Sequence, residues 1–253
     1  MRYAILADIH GNILALNAAI EDMQRFGGVE VILSLGDMIG YGPWPREVIE
    51  TLRANGAILL QGNHEHAVSN MDLARRRTNN ADTLKMLEFT QNQFNDAEIR
   101  ELGELPLRQQ NAAFQSAHCA LINTNEWPYL HPDSFETLLQ LRLSKQPLSF
   151  IGHTHRASFV RFNLKKQTNE YRDNPQIMCL PLEEGYRYLI NPGSIGQPRD
   201  NDPRAAYVIL DIVAPGESRV YFRRVPYDRE TTIRHMRTRR LPECFMAKLR
   251  ASE

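Results

Sequence analysis

The chain has 253 residues, 42% hydrophobic and 24% charged, which supports one large or two small globular cores and excludes low-complexity disorder. Thirty basic residues balance thirty acidic ones, so no overall field draws the protein onto nucleic acid or anionic lipid, and neither a dedicated nucleic-acid partner nor a membrane is expected. Three widely spaced cysteines (Cys119, Cys179, Cys244) suit neither a disulfide framework nor a thiolate zinc site, so any metal must be held by nitrogen and oxygen.

In chain order, an apolar run at 3–7 reads as a first strand that Asp8 and His10 break too soon for a membrane span or a secretory signal; a cytoplasmic location is expected. Asn12 caps a helix with Ile13, Leu16, Ile20 and Met23 on one face, which Gly27 and Gly28 end. A second strand at 29–35, a helix from Pro45 to about 53 and a third strand at 57–60 complete a βαβ pattern that predicts a largely parallel sheet. The text then turns polar and helical, with periods at 81–94 and 96–102, predicting an inserted helical cap over about 71–105. A strand at 112–117, a helix at 134–143 capped by Ser134, and a strand at 148–151 follow. From there the spacing predicts an antiparallel meander with strands at 158–163, 176–180, 186–190, 207–213 and 220–225, and a helical tail over about 228–253. No linker or internal repeat interrupts the chain, which favours a single domain over 1–253.

The candidate site residues sit just after these strands. Asp8 and His10 end the first, two apart, where a period of two would turn both side chains to one face. Asp37 ends the second strand, Asn63 and His64 the third, His118 follows the strand at 112–117, and His153 and His155 repeat the two-residue spacing after 148–151. Loops at the carboxyl ends of neighbouring strands converge on one crevice, so these groups are expected to meet. His66, His131 and His235 lie outside the pattern and are assigned to surface or structural roles.

The ordered blocks DIHGN at 8–12, GDMIGYG at 36–42, GNHE at 62–65, AHC around His118 and GHTH at 152–155 resemble the calcineurin-like metallophosphoesterase superfamily, and NPGSIGQPRDNDPRAAY at 191–207 is similar to its small bacterial and archaeal branch. The resemblance implies an α/β fold, a two-sheet β-sandwich flanked by helices, with a dinuclear metal centre in its crevice. It implies that Asp8, His10, Asp37 and His155 hold one divalent metal ion, and that Asn63, His118, His153 and a bridging Asp37 hold the other. Imidazole and carboxylate ligands suit manganese, the metal expected first, with iron, zinc, nickel or cobalt as the alternatives. His64 then serves as the catalytic group, stabilising phosphoryl oxygens or protonating the leaving oxygen, and Glu65 is expected to orient a histidine. Gly193, Ser194 and Arg199 are candidate substrate contacts, and Arg75–Arg77 and Arg204 add nearby positive charge. The implied activity is hydrolysis of a phosphomonoester or phosphodiester, on a small phosphate-ester substrate of nucleotide type. A diadenosine polyphosphate hydrolase, a phosphoprotein phosphatase, or a scaffold that keeps the fold without the chemistry are the alternatives.

Overall fold

The computed structural model describes residues 1–131, 134–175, 179–213 and 217–250. Strand β1 (Arg2–Leu6) leads through helix α1 (Ile13–Arg25) to β2 (Val31–Ser34), then through α2 (Pro45–Ala54) to β3 (Ile58–Leu59). These three strands are parallel, as the βαβ spacing predicts. Asn12 caps α1 by accepting from the Ala15 amide at 3.2 Å, and Pro45 opens α2, where a missing N–H costs nothing.

Four short helices come next, α3 (Asn63–Ser69), α4 (Met71–Arg77), α5 (Ala81–Gln91) and α6 (Asp96–Gly103), with α5 and α6 packed on α3. The chain continues through β4 (Arg108–Gln110), β5 (Phe114–Ala117), α7 (Phe135–Leu143), β6 (Leu148–Phe150), β7 (Ala157–Asn163), β8 (Thr168–Asp173), β9 (Leu180–Pro181), β10 (Tyr186–Pro192), β11 (Ala205–Asp211) and β12 (Arg219–Val225). Helices α8 (Arg229–Thr238) and α9 (Glu243–Arg250) follow β12. Residues 176–178 of the expected strand at 176–180, and 251–253 of the expected tail, lie outside the described residues.

Among the described residues two six-stranded sheets form, ordered β3-β2-β1-β11-β12-β9 and β4-β5-β6-β10-β7-β8. The second half of the chain is therefore no single meander. The β11–β12 hairpin joins β1 in the first sheet, whereas β10 lies between β6, to which it is parallel, and β7 in the second. Burial follows strand alternation. Tyr3, Ile5 and Ala7 face the second sheet and pack with Phe114, Phe150, Phe159 and Ile190, while Ala4 and Leu6 face α1 and its neighbours. Both faces of β1 are covered, which is why its sequence reads as a continuous apolar run. Outside the second sheet, Leu141 of α7 packs with Val160, Phe162 and Leu189. The carboxyl ends of β1 and β2 in one sheet, and of β5 and β6 in the other, thus open on the same edge of the sandwich.

Candidate metal centre

β1 ends at Leu6 and β2 at Ser34, so Asp8, His10 and Asp37 stand on loops beyond the strands. Their side chains converge through left-handed backbone rather than through strand alternation. Asp8, His10 and Asp37 have φ of 54°, 50° and 52°, and His153 and His155 have 69° and 58°. Such angles are uncommon for residues with a Cβ, and five in one crevice mark a backbone bent for function. Cross-loop hydrogen bonds hold it: the Asp8 amide donates to Gly36 O at 3.1 Å and the His10 amide to Asp37 O at 3.0 Å. Gly62 is required where its loop crosses Asp37, because a Cβ there would collide with the Asp37 carboxylate and amide.

Every one of the seven proposed ligands reaches this crevice. His10 Nε2 lies 3.0 Å from His155 Nε2, and His155 Nε2 lies 3.4 Å from Asp8 Oδ1. On the other side, His118 Nε2 is 3.1 Å from His153 Nδ1, 3.2 Å from Asn63 Oδ1 and 3.4 Å from Asp37 Oδ2. Asp37 Oδ2 also faces His10 Nε2 at 3.9 Å and so stands between the two groups. Oδ1 of Asp37 accepts the His64 amide at 2.9 Å, which leaves Oδ2 as the oxygen between the two groups.

The donor set fits divalent cations. His10, His118 and His155 each place Nδ1 against a backbone carbonyl, of Ile39, Leu35 and Gln197 respectively, which puts a ring proton on Nδ1 and aims Nε2 inward as the nitrogen a cation would take. Two bare nitrogens 3.0 Å apart, as in His10 and His155, repel one another unless a cation lies beside both. Asp8 Oδ1 is buried and has no hydrogen-bond partner among the described residues. Separations of about 3 Å are those of ligands set at right angles about 2.1 Å from one cation.

Charge in the crevice is sharply sorted. Burial pushes the Asp8 carboxyl up to about 7, with the neighbouring Asp37 charge adding to the effect. Burial opposes ionisation of Asp37 as well, but His118 and His64 overcome it and hold this carboxyl well below its usual range. His118 is likewise opposed by burial, yet the Asp37 carboxylate raises it to about 9. Burial lowers His10, His64 and His155, and with the His118 charge it takes His153 down to about 3, so these four rings are neutral. Neutral imidazole is the ligating form.

His64 lies at the cluster's edge. Its Nε2 is 3.8 Å from Asp37 Oδ2, its Nδ1 is buried without a partner among the described residues, and its ring packs on His10 and Tyr41 at 4.8 and 4.6 Å. Glu65 does not orient a histidine. Its carboxylate accepts four backbone amides, those of Asp37, Met38, Ile39 and Gly62 at 2.8–3.2 Å, and so fastens the Asp37 loop to the Asn63 loop.

Gly193 and Ser194 are engaged within the protein itself. The Gly193 amide donates to Asn191 Oδ1 at 2.9 Å, and the buried Ser194 hydroxyl donates to Asp8 O and accepts from Gln197 N, which anchors the loop behind Asp8. Arg75 pairs with Glu88 and Asp72 on the exterior, and Arg204 is held two-pronged by Asp202. Arg199 does reach the site: its amide donates to His155 O at 3.0 Å, and its charge acts on Asp8, His10 and Tyr41. His66, half-buried, packs on Trp127, whose other neighbour is the His118 ring at 6.0 Å, exposed His235 packs on Trp44, and His131 is exposed.

Sequence reasoning passed over the aromatic walls. Tyr41, at φ 54°, lays its ring 4.4 Å from that of His10, and Tyr129, 61% exposed, stacks on His153 at 4.0 Å. Tyr41 carried a signal, being flanked by glycines within GDMIGYG. Tyr129 carried none.

This sandwich, with its buried aspartates and histidines at one edge, is that of a calcineurin-like phosphoesterase, and the chain belongs to that family, whose sequence profile matches residues 1–157. Over 250 residues, 97% of this chain and 96% of the relative, it is 30% identical to an uncharacterized protein of Methanocaldococcus jannaschii. The crystal structure of a metallophosphoesterase from Sphaerobacter thermophilus is similar at a TM-score of 0.84 and 33% identity, over 100% of both chains. A hypothetical protein from Pyrococcus horikoshii shares the fold at a TM-score of 0.78 and 19% identity, with 98% of this chain and 97% of that one covered.

Proposed function

We propose that the protein binds two divalent cations, manganese first among them, and hydrolyses a phosphomonoester or phosphodiester bond of a small, nucleotide-type substrate. The observation that carries this reading is the position of Asp37 Oδ2, which faces His118 on one side and His10 on the other, with a full set of buried donors around each. A bound pair of divalent cations supplies an acidified water and neutralises the charge of the phosphoryl oxygens. The chain's own contribution is to hold those cations and to place His64. Burial keeps that ring neutral at neutral pH, so its one N–H donates a hydrogen bond to a phosphoryl oxygen, and only a ring that first takes up a proton could pass one to the leaving oxygen. Arg199 adds a cation above Asp8 for the substrate's phosphate. The exposed ring of Tyr129 offers a flat apolar surface at the mouth, which suits a base or another planar leaving group.

The test is metal analysis together with hydrolysis of p-nitrophenyl phosphate and its bis ester, with manganese added. Two equivalents of metal per chain and turnover of at least one ester are expected. Full metal content with no turnover of either would return the protein to the scaffold alternative.

A further inference from the structure

The ring of a ligating histidine is ordinarily set by the hydrogen bond its other nitrogen makes, and three of the four imidazoles among the proposed ligands follow that rule. His10, His118 and His155 each have Nδ1 on a backbone carbonyl, at 3.1, 3.2 and 2.7 Å. His153 is turned the other way. Its Nδ1 points inward, 3.1 Å from His118 Nε2, and its outer nitrogen, Nε2, is buried without a hydrogen-bond partner among the described residues. The His153 amide donates to Asp8 Oδ2 at 2.9 Å, but that bond fixes the main chain and not the ring. The torsion that turns an imidazole is broad and roughly two-fold, so a ring without a second hydrogen bond needs another contact to present one chosen nitrogen to a cation.

Tyr129 makes that contact. The two rings stack with centres 4.0 Å apart and planes 25° from parallel. Although Tyr129 is 61% exposed, the loop after β5 that carries it is anchored on either side of it. Trp127 packs its ring 6.0 Å from that of His118, and Leu130 is buried with Leu141 of α7 and with Ile151, two residues before His153. Nearer β5, Gln140 of α7 accepts the Leu121 and Ile122 amides at 2.7 and 3.0 Å, and the Thr124 hydroxyl donates to Ala120 O at 3.0 Å. The loop therefore leaves from one ligand, His118, and returns to lay a ring on another, His153, and both are proposed for the same cation.

We propose that Tyr129 is a positioning residue for the second cation: its stacked ring does for His153 what backbone carbonyls do for the other three imidazoles, and so sets the affinity of the cation held by Asn63, His118, His153 and Asp37. The proposal rests on the cation pair proposed above and adds a residue outside the ligand set that controls one member of it. Removing an outer contact of a ligating histidine costs about 10–100-fold in metal affinity, and an exposed aromatic stack belongs at the lower end of that range.

Manganese titration of the full-length, metal-free protein tests it, read by calorimetry and by the free-ion signal in electron paramagnetic resonance. The wild type is compared with Tyr129→Ala, with Tyr129→Phe, which keeps the ring, and with Asn63→Ala, which marks the binding step that belongs to the second cation. Tyr129→Ala is expected to weaken that step about tenfold and to leave the other within about twofold, while Tyr129→Phe matches the wild type. Both steps weakened alike, neither step weakened, or a loss in Tyr129→Phe equal to that in Tyr129→Ala would overturn the positioning role. Should the wild type take up one equivalent only, the cation pair fails as a reading. The stack then still stands if Tyr129→Ala and Asn63→Ala both weaken that single step, and falls if Tyr129→Ala leaves it unchanged.

Discussion

At the scale of one residue, the proposed function assigns His64 to chemistry rather than to metal binding. It follows the ligand Asn63 and its backbone amide holds Asp37 Oδ1, yet its ring stands 3.8 Å from Asp37 Oδ2, outside the shorter contacts of the ligand groups. Replacing the side chain leaves that amide bond in place. His64→Ala should therefore retain both metals by elemental analysis while losing roughly 10²–10⁴-fold in kcat, the range for removal of a positioned acid or base. Loss of metal along with activity would show that the ring is a ligand instead. The residues were legible because each follows a strand and belongs to a short, ordered block. Their conformations were not: a period of two explained Asp8–His10 and His153–His155, whereas all four have positive φ and turn inward through local backbone strain. Glu65 was misread for a related reason. Nothing in GNHE shows that four amides from two loops point at its carboxylate, because that arrangement exists only once β2 and β3 lie side by side.

Elements were recovered where both faces are buried or a cap is written in the sequence, as in β1, β2, α1 and α7. β4 and β8 were passed over. Both lie at edges of their sheet, and β8, TNEYRD, is exposed over most of its length, so it carries neither apolar alternation nor a continuous apolar run. Its placement comes from pairing with β7, Ser158 opposite Asp173 through to Asn163 opposite Thr168. The loop between β10 and β11, which carries Arg199, depends on a contact equally invisible in the sequence. Asp200 is buried, accepts the Ala157 amide at 2.9 Å, and forms an ion pair with Arg224 of β12. Truncating one member of such a pair strands the other charge. Asp200→Ala should cost about 3 kcal/mol, at the lower end for buried pairs because Arg224 keeps Asn174 at 2.9 Å and Asp202 at 3.9 Å. Urea unfolding should show this as a lower midpoint with an unchanged slope, and a change below about 1 kcal/mol would mean that the pair does not hold the loop.

The whole molecule couples the crevice to stability through pH. Without metal, opposing groups act on the fold. Burial and its neighbours lower His10, His64, His153 and His155, which must be neutral to fold, so their contribution is present above the unfolded value of 6.5 and is lost as the pH falls below it. Asp8 and Glu65, both raised by burial to about 7, and His118, raised by Asp37 to about 9, bind protons in the fold that the unfolded chain has released. Their contribution is complete at low pH and is lost as the pH rises, through about 7 for the two carboxyls and about 9 for the imidazolium. In the proposed centre, cations would take Asp8 and His118 in their deprotonated forms, relieving those two groups and leaving the already neutral histidines unchanged. The rise in Tm on adding manganese should therefore widen steadily from pH 6 to pH 9, and calorimetry in buffers of different ionisation enthalpy should show proton release on metal uptake at pH 7. A metal-induced rise that stays constant or narrows over this range would mean that Asp8 and His118 are not the groups the cations displace protons from.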